Sequence, residues 1–340
     1  MKYKLPIVTC LISACFGVIW LLFGYQSGYI FPILNAQPPA AASNISSSNT
    51  GIPVDEAGNP MDLASDQEPQ DDAEGNEFLS DPEVILKRAI AQMHSETRFQ
   101  AAVRHRIDMF DQHLVGAGHY RQFGNGSIKR LRFELKTQVG ENTASVVQVC
   151  DGRHLWTREN LADSTSLSRI DVRYISDALQ KQEQKDTQHS TGVLAANWGA
   201  NIAMGGIPRL LASLQSSFHF TSTSEATYED VPVWVLVGKW KPEVREQIAA
   251  KFGSAKSFPT HLPDAVRIVL GRDVEFKFIP REIQYLKVAS DKTVTPMVSL
   301  QLYDITRLVD MNASQFEYQR GEQVIVDRTQ AFLDKYIPTP

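Results

Sequence analysis

From residue 98 the chain settles into an apolar–polar alternation of period two. Phe99, Ala101, Val103, Ile107 and Met109 fall on one side of it, and Gln100, Arg104, Arg106 and Asp108 on the other. This predicts a long strand with one buried face. Runs of the same kind predict strands at 114–122, 130–138, 145–150 and 154–158, and again at 266–270, 274–278, 282–288 and 297–306. Ahead of the first strand the spacing is helical. Leu86, Ile90 and Met93 recur three to four residues apart behind Ser80-Asp81-Pro82-Glu83. That stretch reads as a capping box, with Ser80 at the N-cap, Pro82 in the first turn and Glu83 at the third position. Between 160 and 261 the pattern is mixed, with helices predicted at 176–185, 208–216 and 242–252 and a strand at 233–239. A short helix is predicted at the C-terminus.

Residues 5–23 form a stretch of nineteen predominantly apolar positions without a charge, about the length that crosses a bilayer as a helix. Lys2 and Lys4 precede it and no cation follows until Lys87, so the positive-inside bias places the bulk of the chain outside the cytoplasm. Residues 1–35 are therefore expected to be a membrane anchor or signal segment. Span length favours a retained anchor, and a cleaved signal peptide stands as the alternative. Ile12-Ser13-Ala14-Cys15 also has the pattern of a lipobox. Residues 36–79, rich in Ala, Ser, Asn, Pro, Gly and acids, bury too little apolar area to offset ordering and are expected to form a disordered acidic tether. The folded domain is expected over 80–337.

Charge sharpens this division. From Ala36 to Leu86 there are eleven Asp or Glu and no Lys or Arg, whereas from Lys87 onward 32 basic residues meet 28 acidic ones, a net of +4. No basic stripe of the size that nucleic acid requires is present. Cys10 and Cys15 lie in the leader, leaving Cys150 alone and without a C-x-x-C or Cys/His ligand spacing. Between apolar strand residues it reads as a small buried hydrophobe.

The motifs of hydrolases, metalloproteases and nucleotide binders are missing, so no enzyme is expected. Gly116-Ala117-Gly118 lacks a third glycine and runs into His119-Tyr120 rather than a helix start. Its two glycines share a strand face, where absent side chains let a sheet bend or another backbone approach. His105, His113, His119 and His154 have no ligand-pair spacing, and neither a metal nor a cofactor is expected. Asp151 reads as a turn former. Arg130 and Arg132 share one face of a strand, and Leu131, Phe133 and Leu135 the other, as in a sheet with a solvated outer side. Around Trp198, the glycines Gly199, Gly205 and Gly206 suggest a mobile lid. Ile207, Leu210, Leu211 and Leu214 then give the next helix an apolar face to lay over the sheet.

The run VQVCDGRHLW, Val147 to Trp156, breaks an apolar strand at Asp151-Gly152, a pair suited to a tight turn. It follows GAGHYRQ at 116–122 and IKRLRFEL at 128–135. PREIQYLKV at 280–288 and QFEYQRGEQVIVDRT at 315–329 come late in the chain. This order resembles the periplasmic lipoprotein-carrier superfamily, the LolA/LolB-like proteins. The resemblance implies an α+β fold: a strongly curved antiparallel sheet forming an incomplete β-barrel, with helices covering the concave face. It further implies non-catalytic binding of lipid or lipoprotein acyl chains in an apolar concave cavity. The expected lining is Phe99, Val103, Ile107, Tyr120, Leu131, Phe133, Leu135 and Trp156, under a lid carrying Trp198, Ile207, Leu210 and Leu211. The expected setting is a periplasmic or other extracytoplasmic domain held to the membrane through residues 5–23. An envelope sensor or scaffold module of the same fold, gripping a protein partner, is the alternative.

Overall fold

A computed structural model describes residues 81–109, 112–125, 129–161, 164–183, 198–251, 258–259 and 262–336. The expected leader and tether lie outside these residues. Helix α1 (Pro82–Ser95) opens the fold, followed by strands β1 (Arg98–Met109), β2 (Gln112–Phe123), β3 (Arg130–Val139), β4 (Asn142–Cys150), β5 (His154–Leu161) and β6 (Ser164–Asp171). Helices α2 (Val172–Glu183) and α3 (Trp198–Ser217) lead to β7 (Phe218–Tyr228), β8 (Val231–Trp240) and α4 (Pro242–Lys251). Strands β9 (Ala265–Gly271), β10 (Pro280–Val288) and β11 (Val294–Thr306) precede a 3-10 turn (Ala313–Phe316), β12 (Val326–Asp327) and α5 (Thr329–Tyr336). Among the described residues no helix is long and apolar enough to cross a membrane.

The strands form one twelve-stranded sheet in the order β12-β6-β5-β4-β3-β2-β1-β11-β10-β9-β8-β7. Every pairing is antiparallel except β12 with β6. The sheet does not close on itself, so the architecture is an α+β incomplete barrel with its helices on one face. Curvature is built in at β2. A Cβ at Gly118 would sit 1.8 Å from the carbonyl oxygen of Glu134, and one at Gly116 would sit 2.6 Å from Thr137 Oγ1. The β2–β3 register runs unshifted through both, so these glycines permit close strand approach rather than a bulge.

One face of the sheet carries a continuous apolar core. Phe99, Val103 and Ile107 of β1, Tyr120 of β2, and Phe133 and Leu135 of β3 join it with Ile85, Leu86, Ala89 and Met93 of α1 and Ile207, Leu210, Leu211 and Leu214 of α3. Each fully buried Leu, Ile or Phe contributes about 1.5–3 kcal/mol, and the period-two spacing of the strands puts them all on one side.

Several elements differ from expectation. The N-cap of α1 is Asp81, whose carboxylate accepts from Glu83 N at 2.9 Å, with Pro82 as the first helical residue. With Asp81 as the cap, Glu83 falls at the second helical position, one too early for a capping box, and its carboxylate instead accepts from Phe220 N at 3.1 Å. Residues 274–278 form a turn, with Phe278 at φ 63°. The stretch 315–329 is mostly irregular, with only Val326–Asp327 pairing as a strand. The glycine-bearing stretch read as a lid is helical: α3 begins at Trp198 and kinks at Gly206.

Candidate functional site

Seven of the eight residues expected to line a cavity share the helix-covered face. Phe99, Val103, Ile107, Tyr120, Leu131, Phe133 and Leu135 are each 0–4% exposed. Leu131 belongs to a satellite cluster with Cys150, Leu155, Val172 and Ala203. Trp156 points the other way. Leu155 pairs with Cys150 on the covered face, so its neighbour Trp156 emerges on the outer face. There it stacks on Tyr318 at 5.7 Å and lies under Arg169.

Of the expected lid, Ile207, Leu210 and Leu211 are buried against the sheet, while the side chain of Trp198 lies outside the described residues. The kink in α3 has a defined cause. Gly206 adopts φ 72°, and a Cβ there would meet Tyr120 Oη at 2.2 Å. Pro208 removes a further backbone donor. The Tyr120 hydroxyl accepts from Ile207 N at 3.2 Å and donates to Gln122 Oε1 at 2.9 Å. Gln122 Nε2 in turn donates to the carbonyls of Met93 and Glu96, at 3.0 and 2.8 Å.

A buried relay thus ties the α3 kink to the C-terminus of α1. Lys129 Nζ donates to the carbonyl of Met93 at 2.9 Å, a cation meeting the negative end of the helix. Burial lowers its pKa to about 8 despite the nearby Glu96 carboxylate. Glu96 is held below the usual carboxylate range, chiefly by hydrogen bonds from Arg307 at 2.6 and 2.9 Å, against the opposing effect of burial. Sequence reasoning singled out Tyr120 and Gly206 separately. The signal joining them was Gly206-Ile207-Pro208, which leaves an amide without a helical acceptor.

The hydroxyl of Tyr120 stays protonated, since burial pushes its pKa up. Burial also raises Cys150 to about 11, which makes it an inert thiol. His105 sits on the covered face with its pKa lowered to about 3 by burial. His113 and His119 alternate to the opposite side of β2, so these three imidazoles do not converge. Asp151 accepts from the backbone N–H groups of Arg153 and His154 at 2.8 and 2.7 Å, with Gly152 at φ 95°. Burial opposes its ionisation, but these donors outweigh burial and keep its pKa low. It shapes the hairpin turn.

The outer face is covered differently. Residues 312–327 cross β2, β3, β5 and β6 as a strap. Phe316 stacks on Phe123 at 5.8 Å, and Arg130 donates to the Ala313 carbonyl at 3.1 Å. Asp327 accepts from Arg169 at 3.0 Å. Further along, where Arg104 and Gln301 project outward, a polar cavity of about 220 Å³ is lined by Arg104, Arg281, Tyr228, Glu229, Gln301 and Asp304, among others.

These features define an open antiparallel half-barrel with one apolar, helix-covered face. No protein-family model matches this sequence, and no curated protein sequence matches it. The chain is similar to several solved structures. MucB matches at 14% identity and a TM-score of 0.35, over 71% of this chain and 64% of MucB, so the chain spans under two thirds of that protein. LprF from Mycobacterium bovis matches at 7% identity and a TM-score of 0.33, over 68% and 96% of the two chains. A LolA superfamily protein from Nitrosomonas europaea matches at 13% identity and a TM-score of 0.25, over 69% and 96%. The functional reading rests on this chain's own side chains.

Proposed function

We propose that this chain is a non-catalytic acyl-chain-binding protein of the cell envelope, tethered to the membrane through residues 5–23. The observation that carries the reading is the covered face: an apolar surface spread over β1, β2 and β3 beneath a kinked helix. One neutral hydroxyl, that of Tyr120, holds the kink to the sheet. Phe99, Val103, Ile107, Tyr120, Leu131, Phe133 and Leu135 would line the acyl site, and α3, from Trp198 through Leu211, would swing to admit it. Acyl carbons moving from water into such a site gain about 0.8 kcal/mol per CH₂, and breaking the Tyr120–Ile207 bond costs only about 0.5–1.5 kcal/mol. Each acyl carbon gained offsets part of the cost of opening α3, which also includes exposing Ile207, Leu210 and Leu211.

The test is titration with acyl chains of increasing length bearing a fluorophore. Affinity is expected to rise with each added CH₂ and to vanish in Phe133→Asp. Wild-type protein that takes up no acyl probe at micromolar concentration would falsify the reading. A second reading, an envelope module that grips a protein partner, is supported by the outer polar cavity, where Arg104, Glu229 and Asp304 offer charges of both signs. Partner capture that survives Phe133→Asp but not Arg104→Ala would favour it.

A further inference from the structure

Among the described residues three hydroxyls on the covered face are buried without a hydrogen-bond partner: Thr223 Oγ1 opposite Leu236 near the β7 edge, and, deeper in, Thr137 Oγ1 and Tyr285 Oη, on residues 2% and 6% exposed. The register shows how the deeper two stand to each other. Thr137 of β3 pairs with Gly116 of β2, Gly116 with His105 of β1, His105 with Leu300 of β11, and Leu300 with Ile283 of β10. Tyr285 lies one cross-strand row away, in line with Val298, Ile107 and Leu114. Strands β2, β1 and β11 lie between β3 and β10. Thr137 and Tyr285 thus project from the same covered face on either side of His105 of β1. Gly116 contributes directly, because Thr137 Oγ1 occupies space that a side chain there would claim.

A buried hydroxyl with no partner destabilises a fold, and Val or Phe would fill the same volume without that cost. The chain keeps Thr137 and Tyr285 among the large apolar side chains of this face. Both are uncharged, and the imidazole of His105 between them is buried too. A phosphate or carboxylate brought here would lose its hydration without gaining a countercharge. An ester carbonyl or a hydroxyl would accept or donate one hydrogen bond and cost little.

Resting on the acyl-binding reading above, we infer that the ligand is an uncharged acyl amphiphile, held along its chains by apolar contact and at its ester or hydroxyl groups by Thr137 and Tyr285. Free fatty-acid anions are discriminated against.

The test uses the full chain and three fluorescent probes of equal chain length: an acyl methyl ester, the corresponding fatty acid at pH 8, and an alkane. The ester is expected to bind at least about tenfold tighter than the carboxylate and about fivefold tighter than the alkane. Thr137→Val and Tyr285→Phe should each lower ester affinity several-fold, leave alkane affinity unchanged, and raise the Tm of the ligand-free protein by a few degrees. Affinity lost together with a lowered Tm would mark the hydroxyls as structural and overturn the inference. Equal binding of ester and alkane would overturn it while leaving acyl binding intact. If none of the three probes binds, the acyl-binding reading itself falls.

Discussion

The two faces of the same strands are covered by different physics. On the inner face, α1 and α3 bury a continuous apolar surface in which Phe99, Phe133, Leu211 and Leu214 are almost wholly shielded. On the outer face, the strap is fixed at separate points: two aromatic stacks, the Ala313 carbonyl bound by Arg130, and the Asp327–Arg169 pair. Energy spread over area resists local change, because any breach leaves a cavity or a stranded charge. Energy held at points can be removed one point at a time. The inner sheet with α1 should therefore fail as a unit, α3 yielding first at its hydrogen-bonded kink, and the strap piecemeal.

The strongest challenge to that contrast is Phe133→Asp, which buries a charge in the inner face. We expect a loss of several kcal/mol in urea denaturation followed by circular dichroism.

Next comes pH. His105 is depressed to about 3 in the folded state from about 6.5. Below 6.5 the unfolded chain takes up a proton that the core refuses, so stability declines as pH falls from about 6.5 toward 3. The slope is at most about 1.4 kcal/mol per pH unit. His105→Leu should flatten the profile between pH 6.5 and 4.5; an unchanged slope would place the titrating group elsewhere.

Tyr120→Phe should cost about 1–3 kcal/mol, because it strands the Ile207 amide. Hydrogen exchange should then quicken in α3 before it does in β1–β3. On the outer face, Tyr318→Ala should cost about 0.5–1.5 kcal/mol and expose the 307–325 stretch to protease without altering acyl uptake. Arg132→Ala, which removes a half-exposed ion pair with Glu134, should cost under about 1 kcal/mol. A strap variant that unfolds the whole sheet would abolish the distinction between the faces.

What could be read in the sequence divides along similar lines. Strands with one apolar and one polar face, such as β1, β3 and β11, announced themselves through alternation. β6 and β7 did not, since runs such as STSLSRID and FHFTSTSEATY carry Ser and Thr on both faces near or at the sheet's edges. Residues 274–278 alternate Val274, Phe276 and Phe278 yet form a turn. There Phe278 stacks on Trp234 at 4.9 Å while Val274 is 99% exposed. Trp156 was assigned to the wrong face because Leu155 and Trp156 are both apolar and adjacent. What decides between them is Tyr318, far along the chain. The α3 kink was hidden for a similar reason. Gly206 and Pro208 look like loop residues until the Tyr120 hydroxyl supplies the acceptor that the helix lacks.

The strand order also carries a consequence for how the chain folds. Strands β1 to β6 pair each with the next, and so do β7 to β11, with short hairpin links in most places. Among the described residues the two meanders pair strand to strand only where β1 meets β11, for instance at Arg104 and Gln301, 197 positions apart. Hairpins form in microseconds, whereas contacts between distant segments must first overcome the entropy of closing a long loop. The seam should thus close last and set the refolding rate. Leu302→Ala, beside Val103 in the seam, should slow refolding more than Leu236→Ala, which lies within one meander. Stopped-flow refolding that ranks them the other way would place the nucleus at the seam's far side, in the second meander. Until the seam closes, β1 and β11 each present an unpaired edge, and during that interval the protein is most exposed to pairing with another copy of itself.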